Sequence, residues 1–147
     1  MVIQGETAEI VVVEDDNSLR AVIVAAIHDA LGDIEIAEAA DVDEAMALLF
    51  DNPDAFPPSL VLLDLNFPGG GVGAMDLLER IRGGSRSGAL TATPVVIFSD
   101  SRLAEDVAEC YRLGANSYIR KPMGHFEFQN TVGDLARYWI GTNLSPV

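Results

Sequence analysis

Three stretches of the chain are continuously apolar and rich in β-branched residues: Ile10-Val11-Val12-Val13, Leu60-Val61-Leu62-Leu63 and Val95-Val96-Ile97-Phe98. None alternates with polar residues. Strands of a parallel sheet read this way, because both of their faces are covered. Two weaker runs, Ile34 to Ala37 and Ser117 to Ile119, predict two more strands.

Between these runs the apolar residues fall into helical spacing. Leu19, Val22, Ile23, Ala26, Ile27, Ala30 and Leu31 form one stripe, with Asn17 or Ser18 placed to cap its start. Ala45, Met46, Leu49 and Phe50 mark a second helix. Asn52-Pro53 ends it, because a residue before proline is pushed out of helical conformation. Leu77, Leu78 and Ile81 mark a third, ending at Gly83-Gly84. Leu103, Val107, Cys110 and Leu113 mark a fourth, closed by Gly114. Phe128, Val132, Leu135 and Trp139 mark a fifth, ended by Gly141. Residues 83–93 are rich in Gly, Ser and Thr and read as a mobile loop.

Strand and helix thus alternate five times. That order predicts an α/β fold, a five-stranded parallel sheet with right-handed crossovers and helices on both faces. The flavodoxin-like strand order 2-1-3-4-5 suits five such units. Ligands in that architecture bind beyond the carboxyl ends of the strands, where strands 1 and 3 diverge. No repeat or long linker interrupts the pattern. One domain is expected over residues 8–140, with 141–147 as a C-terminal extension.

Charge narrows the partners. The 147 residues carry 23 Asp and Glu against 9 Lys and Arg, a formal charge of −14. Such a surface repels phosphate backbones, so no direct nucleic-acid binding is expected, and it favours divalent cations. The one cysteine, Cys110, can form neither an internal disulfide nor a multi-cysteine zinc site, and fits a reducing compartment. No apolar run is long enough to span a membrane, and the first residues lack a basic, then apolar, leader. The expected setting is the cytoplasm, away from membranes.

The candidate chemistry lies where the predicted strands end. Glu14-Asp15-Asp16 follows the first strand, Asp64 the third, Ser99 the fourth and Lys121 the fifth. One sheet edge would therefore gather carboxylates, a hydroxyl and an ammonium. Two carboxylates about 4 Å apart repel by roughly 4 kcal/mol at an effective dielectric near 20. Three need a cation or a shared proton. An all-oxygen site at a wet edge suits Mg²⁺ or Mn²⁺. Such a cation would neutralise an incoming phosphoryl group and leave Asp64 to act as nucleophile. Each motif alone has a plainer reading: acids in a helix's first turn complement its dipole, and a lone Asp after a strand is usually a turn residue. The joint placement is the specific signal. His28 and His125 read as structural, Cys110 as a small buried hydrophobe, and Met46 and Met75 as core filler.

With those residues in view, the chain resembles a response-regulator receiver domain, the phosphoacceptor half of two-component signalling. The segments that carry the resemblance are Ile-Val-Val-Val-Glu-Asp-Asp (10–16), Val-Leu-Leu-Asp-Leu-Asn-Phe-Pro (61–68), Val-Val-Ile-Phe-Ser (95–99) and Gly-Ala-Asn-Ser-Tyr-Ile-Arg-Lys-Pro (114–122). The resemblance implies phosphorylation at Asp64, with Pro68 four residues on. It implies a metal held by Glu14, Asp15, Asp64 and the main-chain carbonyl of Asn66. Asp16 leaves the choice of acidic pair open, and Glu14 with Asp15 is preferred because they come first. Ser99 would be the switch hydroxyl, Tyr118 the switch aromatic and Lys121 the phosphoryl contact, with a Lys121–Pro122 bond often cis in the family. Gly73 fits the glycine after the phosphorylation loop. Asp100, where a small residue is usual, and the run Gly69-Gly70-Gly71 are departures that bear on phosphate lifetime.

Asp-Leu-Asn-Phe-Pro (64–68) and the tail Tyr138-Trp139-x-x-x-Asn143-x-x-Pro146 are similar to the single-domain receivers that partner bacterial phytochrome histidine kinases. That likeness implies a sensor histidine kinase as phosphodonor, a bacteriophytochrome among them, and a homodimer built partly from Tyr138, Trp139, Asn143 and Pro146. It further implies a protein–protein output without a DNA-binding domain. Other functions fit less well. A haloacid-dehalogenase-type phosphatase needs an acid where Asn66 stands. A flavodoxin-like cofactor site needs a neutral loop where Glu14-Asp15-Asp16 stands. A fold-only interaction module would not need Asp64, Ser99 and Lys121 together.

Overall fold

The computed structural model describes residues 9–51, 56–66, 72–83 and 88–146. Five strands, β1 (Ile10–Val13), β2 (Ile36–Ala39), β3 (Leu60–Leu63), β4 (Val95–Ser99) and β5 (Ser117–Arg120), form one sheet in the order β2-β1-β3-β4-β5. Every pairing is parallel. Among the described residues, five helices longer than one turn connect and follow them: α1 (Asn17–Leu31), α2 (Val42–Phe50), α3 (Val72–Arg82), α4 (Ala104–Arg112) and α5 (His125–Ala136). The sheet order and the helices on both faces are those the apolar runs predict.

Two apolar layers hold the sheet. On one side Val11, Val13, Val61, Leu63, Val95 and Ile97 pack under residues of α2, α3 and α4, among them Leu49, Leu77, Leu78 and Cys110. On the other, Ile10, Val12, Leu60, Leu62, Val96 and Phe98 pack under α1 and α5 through Ile23, Ile27, Phe128, Val132 and Leu135. Successive strand residues point to opposite faces, so the continuous runs of β1, β3 and β4 feed both layers. Cys110 is fully buried, and Met46 and Met75 lie half-buried against the first layer.

Several local expectations are corrected. Helix α1 is capped by Asp16 rather than Asn17 or Ser18. Asp16 takes the extended conformation a cap needs, and its carboxylate accepts the Leu19 N–H at 3.0 Å. Strand β2 starts at Ile36, two residues after the run that predicts it. Its partner register is Ile10 with Ile36, and at this sheet edge Glu38, on the same face as the half-buried Ile36, is exposed. In the stretch read as a mobile loop, Gly88–Thr91 form one helical turn, and Leu90 and Thr93 are buried. Helix α5 does not run regularly to Gly141. It widens at Arg137–Thr142 into a π turn, closed by the Asn143 N–H on the Tyr138 carbonyl. The Lys121–Pro122 bond is trans, the lower-energy isomer of an X–Pro bond. Asn52-Pro53, Phe67, Pro68, Gly69-Gly70-Gly71 and Gly84 lie outside the described residues.

Arg82, which no sequence pattern marks, ties four segments together. Its guanidinium donates to the carbonyls of Thr91 at 3.0 Å, Thr93 at 2.7 Å and Gly114 at 2.8 Å, and to Asn116 Oδ1 at 2.6 Å. Gly114 has φ +103°, and a Cβ there would stand 2.8 Å from Arg82 Cγ. Both the backbone conformation and the arginine's path call for glycine.

Candidate functional site

Parallel register brings the strand ends into one row. Val13 pairs with Leu63, so Glu14 and Asp64 emerge side by side, and the Asp64 N–H donates to the Val13 carbonyl at 3.0 Å. Ser99 closes β4, and the Lys121 N–H donates to its carbonyl at 2.9 Å. Glu14, Asp64, Ser99 and Lys121 are 2%, 3%, 0% and 4% exposed, so this polar group belongs to the interior rather than to a solvated rim.

Every oxygen of the two buried carboxylates has a donor. Lys121 Nζ donates to Glu14 Oε1 at 2.6 Å and lies 3.2 Å from Asp64 Oδ2. The Asp16 N–H serves Glu14 Oε2 and the Asn66 N–H serves Asp64 Oδ1, each at 3.2 Å. Buried charge is tolerated only with such pairing. Arg20, a second residue the sequence does not flag, donates to the Glu14 carbonyl at 2.7 Å and pairs with Glu38.

The site still carries more negative than positive charge. Burial pushes the Glu14 carboxyl up to about 7 from 4.5, with the charge of Asp64 adding to it and the Lys121 bond opposing. For Lys121 burial acts downward, but the bond to Glu14 and the charges of Asp64 and Glu14 outweigh it, so the ammonium is held above its usual range. Both shifts follow from two acids sharing one ammonium.

Asp15 is exposed and supplies a third carboxylate. One oxygen from each of Glu14, Asp15 and Asp64 lies within 4.8 Å of the others. Three convergent carboxylate oxygens are a hard donor set, and they fit a divalent cation of the Mg²⁺ and Mn²⁺ class. The side chain of Asp16 is engaged as the α1 cap, which separates it from this set. Asn66 is exposed beside Asp64, bonded to it through its N–H.

The hydroxyl side of the site is linked to β5. Ser99 Oγ accepts the Ser101 N–H at 3.2 Å, and the Tyr118 hydroxyl donates to the Ser101 carbonyl at 2.9 Å. Tyr118 is half-buried against the first apolar layer, and burial pushes its phenol up while Ser99 and Ser101 pull the other way. Asp100 is exposed. With Leu19, Lys121, Met123 and Phe128 it borders a cavity of about 350 Å³. Gly73 lies in the first turn of α3 with Val42 at 3.4 Å from where its Cβ would stand. His28 and His125 stay out of the cluster: the His28 ring meets the Ile34 carbonyl at 3.2 Å, and His125 stacks edgewise on Phe126.

The tail residues are not part of this cluster. Helix α5 begins near Lys121 and runs back along the sheet, so Tyr138, Trp139, Asn143 and Pro146 follow its far end. Trp139 meets Tyr138 edge-on at 5.1 Å and is half-buried against the second apolar layer. Tyr138 is about half exposed, and Leu144, unmarked by the sequence, is almost fully exposed.

Comparison with known proteins adds to this geometry. The sequence model of the response regulator receiver domain matches residues 10–132. The probable methanogenesis regulatory protein FilR2 of Methanothrix harundinacea is 30% identical over 148 residues, covering 99% of this chain and 92% of that protein. The crystal structure of the phosphorylated cyanobacterial phytochrome response regulator RcpA superposes with a TM-score of 0.83 at 29% identity, covering 95% of this chain and 99% of that one. The Mn²⁺-bound form of response regulator Rcp1 superposes with a TM-score of 0.81 at 26% identity, covering 96% and 100%. No helix among the described residues is long and apolar enough to cross a membrane.

Proposed function

The chain belongs to the response regulator receiver domain family of two-component systems, and from that premise we propose that it takes a phosphoryl group onto Asp64. The observation that carries this reading is the Glu14–Lys121–Asp64 cluster, with Asp15 at its open side. Glu14, Asp15, Asp64 and the main-chain carbonyl of Asn66 would hold Mg²⁺, with Mn²⁺ as a chemical equivalent. When bound, the cation offsets charge on the transferring phosphoryl oxygens. The Mn²⁺-bound relative supports a divalent ion in this fold.

An Asp64 carboxylate oxygen attacks phosphorus, the donor's P–N bond breaks, and the imidazole departs with a proton. Lys121, already 3.2 Å from Asp64 Oδ2, is placed to serve a phosphoryl oxygen. Ser99 Oγ gives a further hydrogen bond, and Tyr118 and the α4–β5–α5 face follow by a shift of population between two packings. Burial of the site excludes competing water and strengthens each of these contacts.

The donor is a sensor histidine kinase. Likeness to a phytochrome response regulator over nearly the whole chain supports a bacteriophytochrome in that role. A kinase fed by ATP places the receiver in the cytoplasm. The receiver unit is 8–140, and the extension 141–147, with Tyr138, Trp139, Asn143 and Pro146, contributes to a homodimer. The phosphatase alternative has no support from the family, and it lacks the acid it needs at Asn66.

Acetyl phosphate with Mg²⁺ tests the reading. The intact protein should gain the mass of one phosphoryl group, and Asp64→Asn should gain none. Modification that persists in Asp64→Asn moves the acceptor elsewhere.

A further inference from the structure

Ser101 makes four hydrogen bonds to four separate neighbours. Its N–H donates to Ser99 Oγ at 3.2 Å, and its carbonyl accepts from the Tyr118 hydroxyl at 2.9 Å. Its own hydroxyl donates to Asp106 Oδ2 at 2.5 Å and accepts the Leu103 N–H at 3.4 Å. The N-cap residue of α4, Leu103, has no side chain able to cap the helix. The Ser101 hydroxyl instead bridges the N–H of that N-cap residue and the carboxylate of Asp106 in the first turn, tying the loop to the start of the helix. At the other end of α4, Tyr111 Oη accepts the Tyr118 N–H at 3.1 Å. The helix is thus fastened to β5 at its end and to the Ser99 loop at its start.

We propose that Ser101 is a positioning residue whose hydroxyl couples the Ser99 loop to the first turn of α4. The inference rests on the reading of Asp64 as phosphoacceptor. Ser99 Oγ must move toward Asp64 to reach a phosphoryl oxygen, and the Ser101 peptide bonded to it follows. The Ser101 carbonyl, in the next peptide unit, accepts the Tyr118 hydroxyl, so the ring is held to the same residue. The hydroxyl holds Asp106, so the start of α4 is drawn along as well. Without the hydroxyl the peptide still follows Ser99, but the loop absorbs the movement and α4 stays behind. Ser101 itself touches no reacting atom.

Amide and aromatic NMR with beryllofluoride and Mg²⁺ tests this on the full chain. In the wild type, shifts are expected at Leu65 and Asn66 beside Asp64, at the Tyr118 ring, and at Glu105 to Val107. In Ser101→Ala the Leu65 and Asn66 shifts should remain in full, while those at Glu105 to Val107 fall to less than about half, since both hydroxyl bonds between the loop and the start of α4 are gone. Ser101→Thr, which keeps the hydroxyl, should restore them. Asp106→Asn, which keeps an acceptor oxygen, should hold most of the response, and Asp106→Ala should reproduce Ser101→Ala. A full α4 response in Ser101→Ala overturns the proposal. Absence of any shift at Leu65 and Asn66 in the wild type is instead a failure of the Asp64 reading. The tether is then judged without ligand: the Asp106 and Val107 amides should exchange about fivefold faster in Ser101→Ala, the factor an ordinary hydrogen bond is worth. Unchanged exchange overturns the tether as well.

Discussion

Lys121 Nζ lies 2.6 Å from Glu14 Oε1, closer than its 3.2 Å approach to Asp64 Oδ2, and the two residues are 107 positions apart in the chain. Lys121 is the sole lysine of the sequence. A glutamate at this strand end has one more methylene than an aspartate, and that reach lets it take the larger share of the ammonium. The result is a buried triad in which Lys121 stands in for a cation between two acids that would otherwise repel.

The first consequence is a pH dependence of stability. Burial, with the Asp64 charge adding, pushes Glu14 up to about 7 from 4.5. A group whose pKa is higher folded than unfolded stabilises the fold fully below the unfolded value. That contribution is lost as pH rises through the folded value. Without divalent cations the protein should therefore lose stability between about pH 4.5 and 7, by roughly 3 kcal/mol at ~1.4 kcal/mol per unit. Glu14→Gln mimics the protonated acid and should flatten this part of the curve. The two proteins differ only at Glu14, so the difference between their urea midpoints isolates that residue. Parallel curves would mean that Glu14 is not the group that titrates.

Divalent cation should act in the opposite direction. A ligand bound only by the folded state adds about 2.7 kcal/mol when present at a hundred times its dissociation constant. That corresponds to a rise in Tm of several degrees for a domain of this size. Asp15→Ala removes the exposed carboxylate of the Glu14–Asp15–Asp64 set and leaves the Lys121 pair intact. The variant should melt near the wild type without Mg²⁺ and gain at most about half the wild-type shift with it, one of three carboxylate ligands being absent. A full shift in Asp15→Ala would place the ion elsewhere.

What the chain's pattern discloses follows the strength of each signal. Strands β1, β3 and β4 are buried on both faces, so their apolar runs are unbroken and their positions legible. The residues directly after them, Glu14 and Asp64, inherit that clarity, and so does Lys121 through the Lys-Pro segment. Strand β2 lies at the sheet edge, where Glu38 is exposed and Ile36 only half-buried, and the apolar Ile34 ahead of it blurs its start. Arg82, Ser101 and Arg20 are invisible for a different reason. Their partners are backbone carbonyls, peptide N–H groups or residues remote in sequence, and no spacing rule announces such contacts. The cap at Asp16 was obscured because three acids in a row offered the metal and the helix equally good candidates.

Arg82 and Gly114 should prove energetically coupled. Arg82→Ala leaves the carbonyls of Thr91, Thr93 and Gly114 without their guanidinium donor, at an expected cost of roughly 2–4 kcal/mol. Gly114→Ala forces a side chain into φ +103° and into contact with Arg82 Cγ, for roughly 2–3 kcal/mol. With the arginine gone the contact disappears and only the backbone term remains. The double variant should therefore be more stable than additivity predicts, by about 1 kcal/mol in a denaturation cycle. Strict additivity would show that the arginine yields freely to the new methyl group.

The proposed dimer makes a last, separable prediction. Trp139 is half-buried against the core of its own chain, so removing the whole tail would disturb the fold as well as any interface. Tyr138 and Leu144 are the exposed apolar residues of this region, and single exposed side chains of this kind can be replaced at little cost to stability. Tyr138→Ser combined with Leu144→Asp should leave the melting curve within about 1 kcal/mol of the wild type. If the tail contributes to association, the same variant should sediment as a monomer at concentrations where the wild type is a dimer, because a few aromatic and apolar anchors carry most of an interface's energy. Equal sedimentation of wild type and double variant would remove the tail from the interface and leave the α4–β5–α5 face to account for any dimer.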